Sequence, residues 1–187
     1  MTNSRPGVTI IPIHGRVPVI AASAFIAPGT TIIGDVTIGE DASIWYNCVV
    51  RGDVERITVG ARSNIQDGSV VHCDGPKPGE PECPTIIGDD VLIGHMAMVH
   101  GCTIADRGFV GLGAIVMNGC VIGSDAMLAA GAMLTPGKAM APRELWSGRP
   151  ATKMRDLTDT AIAGMRAGVA HYVENGRAHA AAIAALG

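Results

Sequence analysis

The chain has 187 residues, of which 48% are apolar, so a single domain with an appendage can bury a sizeable core. Its formal net charge is −3 and no basic stripe is visible, which argues against nucleic acid as the main partner. No apolar run reaches membrane-spanning length, the N-terminus lacks a signal-peptide pattern and the five cysteines form no CxxC pair, so we expect no membrane association and a cytoplasmic location.

A six-residue repeat follows a segment that we interpret as a leader or cap, residues 1–19. Aliphatic residues recur at this interval, continue after a short offset and resume after an interruption. The three runs are Ile20, Ile26, Ile32, Ile38, Ile44 and Val50; Val59, Ile65 and Val71; and Ile86, Leu92, Met98, Ile104, Val110, Val116, Ile122, Leu128 and Leu134. Around residues 98–104 the aliphatic–glycine phase slips by one residue. A series of this length indicates a solenoid of fixed period with one irregular coil.

A period of six fits short strands joined by tight corners, and it fits neither an amphipathic helix nor a long flat strand. One aliphatic side chain per side points inward in such a coil, and Gly, Asn or Asp takes the corner. Stacked coils then bury a continuous aliphatic column. The pattern resembles that of hexapeptide-repeat proteins. This resemblance implies an all-β solenoid, a left-handed parallel β-helix with three six-residue sides per coil, over residues 20–138.

One segment interrupts the repeat. Residues 73–84, CDGPKPGEPECP, hold four prolines and are predicted to form a protruding loop. Cys73 and Cys83 flank this loop. They could bridge or bind a metal, but free thiols are the simpler interpretation.

The chain after the repeat is predicted to be a connector, residues 139–156, and a C-terminal helical segment, residues 157–187. Thr158 or Asp159 can cap the start of a helix, and Gly176 is expected to break it. Apolar residues at helical spacing follow the cap: Ile162, Met165, Val169, Tyr172 and Val173. We therefore expect one or two helices packed along the outside of the solenoid.

Three histidines can be placed on the coils by counting. His72 precedes His100 by 28 residues, and subtracting a coil of about 18 leaves roughly the size of the loop, so the two are expected to stack at one corner. His95 lies nearly one side away from His100. In a three-fold oligomer, His95 of one protomer could meet His72 and His100 of its neighbour. Three imidazoles with one open position are typical of a catalytic zinc site. The other histidines have no such arrangement and are interpreted as structural or solvated: His14, His171 and His179.

Two long runs, WYNCVVRGDVERITVGARSNIQDGSVVHCD at 45–74 and IGHMAMVHGCTIADRGFVGLGAIVMNGCVIG at 93–123, resemble γ-class carbonic anhydrases. The resemblance spans most of residues 15–155 and includes the connector GRPATKMRDLT. It implies a homotrimeric lyase that hydrates CO₂ reversibly to bicarbonate, with hydroxide supplied by a metal ion at each subunit interface. The ion is expected to be Zn²⁺, although Fe²⁺ or Co²⁺ could replace it.

The resemblance also implies roles for individual residues. It assigns the three metal ligands to His72, His95 and His100. It matches Gln66 to a glutamine beside the metal-bound water and Asn64 to a polar group next to that glutamine. It matches Arg51 and Asp53 to the RGD pair, and Asp67 to a carboxylate that the arginine meets at or near the interface. The last three could instead form a structural ion-pair network.

The sequence departs from the family pattern where a proton shuttle is expected. The family has a glutamate directly after the RGD and a long acidic loop after the first ligand, whereas here Val54 follows the RGD and the loop is short. Glu55, Glu80 or Glu82 could substitute, or could simply be solvated.

Two alternative functions stay open. One is a hexapeptide-repeat acyltransferase that uses CoA, since GRPA at 148–151 is similar to the connector of that class, although such enzymes typically need a single histidine. The other is a metal-stabilised trimeric scaffold without significant hydratase activity.

Overall fold

Tight corners between short strands set the architecture. At these corners the backbone enters the left-handed region, where glycine, asparagine and aspartate are tolerated best. Asn47, Asp125 and Gly113, for example, have φ of 59°, 58° and 63°. The structure is a computed structural model that describes residues 5–75, 78–79 and 82–186. The chain coils about its axis as an all-β solenoid, a left-handed parallel β-helix of hexapeptide repeats with one C-terminal helix, as predicted.

The strands pair in parallel from coil to coil, apart from an antiparallel hairpin between the last two. They are β1 (Thr9–Ile11), β2 (Val19–Ile20), β3 (Phe25–Ile26), β4 (Thr31–Ile38), β5 (Ser43–Ile44), β6 (Val49–Val59), β7 (Asn64–Ile65), β8 (Val70–His72), β9 (Thr85–Ile87), β10 (Leu92–Ile93), β11 (Met98–His100), β12 (Thr103–Ile104), β13 (Phe109–Val110), β14 (Ile115–Val116), β15 (Val121–Ile122), β16 (Met127–Leu128), β17 (Met133–Leu134), β18 (Ala139–Met140), β19 (Glu144–Gly148) and β20 (Ala151–Asp156); the helix is α1 (Asp159–Ala184). Strand β1 pairs with β4, so parallel pairing begins within the segment interpreted as a leader.

The strand register shows that the coils differ in length. Val70 pairs with Met98, 28 residues later, because the loop at 73–84 lies between them. Met98 pairs with Ile115 only 17 residues later, whereas Ile115 pairs with Met133 after a regular 18. The shortened coil is the physical cause of the phase slip seen in the sequence.

The predicted inward positions are correct for most of the repeat and wrong for three residues. Ile32, Ile44 and Val110, for example, are fully buried. On the three consecutive sides before the slip, however, the inward residues are Ile87, Ile93 and Val99, with at most 2% exposure. Their predicted counterparts, Ile86, Leu92 and Met98, point outward. Leu92 is covered by α1, and Met98 is 39% exposed.

The C-terminal segment forms one helix, α1, packed against the side of the solenoid formed by β3, β5, β7 and β10. Thr158 is the N-cap, and its hydroxyl accepts a hydrogen bond from the Ala161 N–H at 3.2 Å. The prediction that Gly176 breaks the helix is wrong. Gly176 is buried within α1, and a Cβ there would lie 3.3 Å from the Cβ of Phe25, so close packing explains the glycine. Within the described part of the chain, no helix is both long and apolar enough to cross a membrane.

One corner carries a column of residues that alternate in charge, which we call the charge ladder. Its members all have φ between 53° and 65°, and they are Asp41, Arg62, Asp90, Arg107, Asp125 and Arg143. Arg62 pairs with Asp90 through two hydrogen bonds of 2.7 Å, and Arg107 pairs with Asp125. Three residues of α1 add complementary charges to the ladder, through the pairs Asp159–Arg143, Arg166–Asp125 and Arg177–Asp41.

Candidate metal centre

His72 and His100 stack on consecutive coils, which confirms the prediction made by counting. They end strands β8 and β11 and are direct partners in the parallel register. The Nδ1 atom of His72 lies 3.0 Å from the Nε2 atom of His100, and the two rings meet edge to face with centroids 5.0 Å apart. Both side chains are partly buried, at 16% and 27% exposure. Two imidazoles therefore direct ring nitrogens at one small region.

The buried Thr85 fixes the backbone beneath this pair. Its hydroxyl donates a hydrogen bond of 2.6 Å to the carbonyl of His72 and accepts one of 2.9 Å from the N–H of Gly101. Because Gly101 directly follows His100, one side chain ties together the ends of both histidine strands.

Asp53 lies between Arg51 and His72. Arg51 donates to one carboxylate oxygen at 2.7 Å, and the other oxygen lies 3.2 Å from Nε2 of His72. Partial burial opposes ionisation of Asp53, but the hydrogen bonds from Arg51 and His72 outweigh it and lower the pKa of this carboxyl. Burial lowers the pKa of His72, and together with the positive charges of Arg51 and His100 it outweighs the hydrogen bond and the charge of Asp53, which raise this pKa. His72 is therefore neutral at pH 7, with Nε2–H directed at Asp53 and the Nδ1 lone pair directed at His100.

Asn118 contacts the other histidine, although no motif in the sequence marks it as a site residue. Its Oδ1 lies 2.5 Å from Nδ1 of His100, and its Nδ2 donates to Asp74 at 2.6 Å. Asp74 approaches His100 itself, with 4.0 Å between a carboxylate oxygen and Nε2. A signal was present, because Asn118 follows His100 by 18 residues, the length of one regular coil.

His95 lies at a different corner, before β11, and forms a second polar group. Its Nδ1 is 2.8 Å from a carboxylate oxygen of Asp67, which occupies the same corner one coil earlier. Next to Asp67, Gln66 is almost fully buried, and its Nε2 donates at 3.1 Å to Oδ1 of the buried Asn64. The orientation of the Gln66 amide is thus fixed by Asn64.

The site residues named from the sequence thus fall into two groups at opposite ends of one solenoid side. The first group contains Arg51, Asp53, His72 and His100, and the second contains Asn64, Gln66, Asp67 and His95. Over residues 5–75, 78–79 and 82–186, no set of three or more His, Cys, Asp or Glu side chains is arranged to hold a metal ion. A single chain therefore does not bring the three predicted ligands together.

The acids named as proton shuttles have other partners where they are described. Glu55 accepts a hydrogen bond from the backbone N–H of Arg56 at 2.8 Å, and Glu82 lies 3.8 Å from the Arg56 guanidinium. Glu80 lies outside the described residues.

The two cysteines that flank the loop are free thiols. Cys73 is buried and donates to the carbonyl of Glu55 at 3.1 Å, while Cys83 donates to the carbonyl of Gly101 at 3.3 Å. Burial raises the pKa of Cys73 to about 11, so this thiol is uncharged at neutral pH.

An apolar row runs along the solenoid side between the two groups. In five neighbouring strands of this side, the residue two positions before the histidine level also points outward, and these side chains align by register: Val49, Val70, Met98, Ile115 and Met133. We call this surface the site face. Helix α1 packs on a different side of the solenoid.

The coils and corners define a hexapeptide-repeat β-helix whose site face carries paired histidines. A family model described as bacterial transferase hexapeptide (six repeats) matches residues 18–52. The chain is 48% identical over 168 residues to a carbonic anhydrase from Geobacillus kaustophilus, a match that covers 90% of this chain and 89% of that relative. The chain therefore belongs to the γ-carbonic anhydrase-like family, as its motifs predict.

Two further relatives extend the comparison. Gamma carbonic anhydrase 1, mitochondrial, of Arabidopsis thaliana is 43% identical over 173 residues, and the match covers 92% of this chain but only 63% of that relative's length. The chain thus spans less than two thirds of that protein. A solved structure of a hexapeptide transferase family protein from Anaplasma phagocytophilum superposes with a TM-score of 0.85 at 43% identity, covering 91% of this chain and 97% of that one.

Proposed function

We propose that the protein is a zinc-dependent carbonic anhydrase that hydrates CO₂ reversibly to bicarbonate, in the reducing cytoplasm, as a homotrimer. The observation that carries this proposal is the pair of ring nitrogens of His72 and His100, 3.0 Å apart on stacked coils. The relatives named carbonic anhydrases support the activity. The free state of all five cysteines fits the location.

The donor set fits a zinc ion. Zinc binds neutral imidazole at about 2.0–2.1 Å, and two such ligands in a tetrahedral arrangement have nitrogens about 3.3 Å apart. The His72–His100 separation of 3.0 Å is close to this value. The depressed pKa of His72 keeps that ring in the neutral form that a metal requires. His72 and His100 would hold the ion together.

A third ligand would come from a neighbouring subunit. His95 lies at the opposite end of the site face from His72 and His100. One chain therefore contains all three ligands but cannot bring them to a single metal ion. The apolar row between these ends supports association, because a half-exposed methionine such as Met98 is stabilised by burial against a partner. When subunits meet along this face, His95 of one can reach the histidine pair of the next.

A bound zinc ion supplies a Lewis acid that lowers the pKa of water to about 7, so that a hydroxide nucleophile is available for CO₂ at neutral pH. The chain's own residues orient the groups around it. Asp53, held by Arg51, fixes the ring of His72 through Nε2. Gln66, held by Asn64, presents an amide whose orientation is set before substrate arrives. Asp67 fixes His95 in the same way.

Proton removal is expected to limit the rate. Neither Glu55 nor Glu82 contacts the histidine pair, since each engages Arg56 instead. With neither of these two acids at the pair, an added buffer molecule can accept the proton in their place. Turnover should therefore rise with the concentration of an added imidazole buffer at constant pH.

An acyltransferase remains the second candidate because of the transferase named among the solved structures. Acyl transfer needs one histidine with a nitrogen available as a general base. Here both ring nitrogens of His72 and of His100 face another side chain: each other, Asp53 and Asn118. This arrangement favours metal binding.

The test combines metal content, mass and activity. We expect near-stoichiometric zinc by elemental analysis, a trimer by light scattering, and stopped-flow CO₂ hydration above the uncatalysed rate for zinc- or iron-loaded protein. His100→Ala should lose the metal. A wild-type chain without metal, or a His100→Ala variant that keeps its full metal content, refutes the site. Metal-loaded trimers that hydrate CO₂ at the uncatalysed rate indicate a scaffold, and acetyl-CoA turnover indicates a transferase.

A further inference from the structure

We propose that Asn118, held in place by Asp74, is a positioning residue that fixes His100 in the tautomer whose Nε2 lone pair is offered to the metal. This inference rests on the proposed metal site. It assigns a role to two residues outside the ligand set, and it follows from the direction of two hydrogen bonds.

The first bond fixes the orientation of the Asn118 amide. An ionised carboxylate can only accept hydrogen bonds, so the Asn118 group that lies 2.6 Å from Asp74 must be the amino group. The reverse orientation would place the amide oxygen against a carboxylate oxygen at that distance, which is repulsive. The amide oxygen of Asn118 is therefore turned toward His100.

The second bond then fixes the tautomer of His100. An amide oxygen has no hydrogen to donate, so Nδ1 of His100, 2.5 Å away, must carry the proton. In a neutral imidazole the other nitrogen is left with a lone pair. That nitrogen is Nε2, which faces Nδ1 of His72 at 3.0 Å.

His72 is oriented by the same logic from the opposite side. Its Nε2 lies 3.2 Å from the Asp53 carboxylate, which leaves the lone pair on Nδ1. Both rings thus point lone pairs at the same region, where a cation between them removes their repulsion. The Asp53 carboxylate orients the His72 ring directly, and the Asp74 carboxylate orients the His100 ring through the Asn118 amide.

The backbone next to His100 leaves room for the Asn118 amide. Gly101 follows His100 in the left-handed region, with φ of 51°. A Cβ at this position would lie 2.9 Å from Oδ1 of Asn118 and would also clash with the sulfur of Cys83. A side chain here would push the amide away from His100. The glycine therefore leaves the space in which the Asn118 oxygen reaches the ring.

The experiment is a double-variant cycle on zinc affinity. Zinc Kd is measured by competition with a chromophoric chelator at fixed pH, and thermal unfolding of the metal-free protein is measured in parallel. Asn118→Ala is expected to weaken zinc binding about 10- to 100-fold, with unfolding of the metal-free protein little changed. Asp74→Ala removes the acceptor that orients the amide, so it should also weaken binding.

The reciprocal variant Asn118→Asp with Asp74→Asn is the matched control. A carboxylate at 118 still accepts from Nδ1 of His100, and an amide at 74 donates to it, so the same tautomer is imposed. We expect this pair of changes to restore most of the zinc affinity that Asn118→Ala loses. A role in stability alone would not produce that recovery.

The outcomes separate this inference from the proposed function. If His100→Ala loses zinc while Asn118→Ala binds it as tightly as wild type, the positioning role is wrong and the metal site stands. Loss of affinity in Asn118→Ala without recovery in the reciprocal variant also overturns it. If the wild-type chain binds no zinc, both proposals fail.

Discussion

Asp125 joins the charge ladder to helix α1, so Asp125→Asn tests how strongly the ladder holds the helix. The carboxylate is 11% exposed and accepts hydrogen bonds from Nε of Arg107 at 3.1 and 3.2 Å and from Nη2 of Arg166 at 3.1 Å. Asparagine has the same shape and tolerates the φ of 58° at this corner, so the change removes charge without adding backbone strain.

The magnitude follows from the exposure of the partners. Hydrogen bonds to charged groups contribute about 1.5–3 kcal/mol when buried, and exposed ion pairs about 0.2–1 kcal/mol. Arg107 and Arg166 are 35% and 56% exposed, so the two contacts belong nearer the lower range. We expect Asp125→Asn to lower the free energy of unfolding at pH 7 by about 1–2 kcal/mol.

The pH dependence has a definite sign. Burial opposes ionisation of Asp125, but hydrogen bonds from Arg107 and Arg166 outweigh it and lower its pKa below the ordinary 3.8. A carboxyl with a depressed pKa in the folded state stabilises the protein above its unfolded pKa and loses that contribution as the pH falls through the folded pKa. The difference between wild type and Asp125→Asn should therefore be constant from pH 7 to about 5 and shrink below about 4.

The assay is urea unfolding at equal protein concentration between pH 7 and 3. Asp156→Asn is the control: Asp156 pairs with Lys153 at 2.8 Å but is 76% exposed, so its replacement should change stability by less than about 0.5 kcal/mol. Equal effects of the two substitutions, or a difference for Asp125→Asn that grows as the pH falls, would refute the reasoning.

Three further substitutions and one control variant test other parts of the structure. Met98→Glu places a charge on the site face and should prevent the proposed trimer from forming, which light scattering would show as a lower mass, whereas Met154→Glu, at a residue 63% exposed on β20, should leave the mass unchanged. Val99→Ala removes a fully buried side chain and should lower the free energy of unfolding in urea by about 1.5–3 kcal/mol; no loss would contradict the inward assignment. Gly101→Ala combines a positive φ with a clash, and should lower thermal stability and zinc affinity together; a fully stable variant would refute the crowding at this corner.

Most of the fold could be predicted from the repeat, because each group of six residues by itself determines one side of one coil. Counting coils was enough to stack His72 on His100, since the only unknown was the size of one loop. Counting failed where a single residue is missing from a coil. Met98 continues the six-residue rhythm, but Val99 is the residue that points inward.

Other features depend on contacts that no local pattern encodes. Gly176 matches the signal for a helix end, yet α1 continues through it, and a glycine stands there because Phe25 packs too closely for a side chain. Asn118 lay one coil beyond His100 and could have been found by the same counting. Its orientation could not, because it depends on a hydrogen bond to Asp74, which lies outside the repeat.

The alternating charges of the charge ladder determine the position of α1 along the solenoid axis. Adjacent coils lie about 4.8 Å apart, so a shift of the helix by one coil along the solenoid axis would bring each of its charged residues to the next residue of the ladder. In one direction Asp159 would then face Asp125 and Arg166 would face Arg107; in the other, Arg166 would face Arg143 and Arg177 would face Arg62. Every such pair repels. The ladder thereby favours one axial register for the helix.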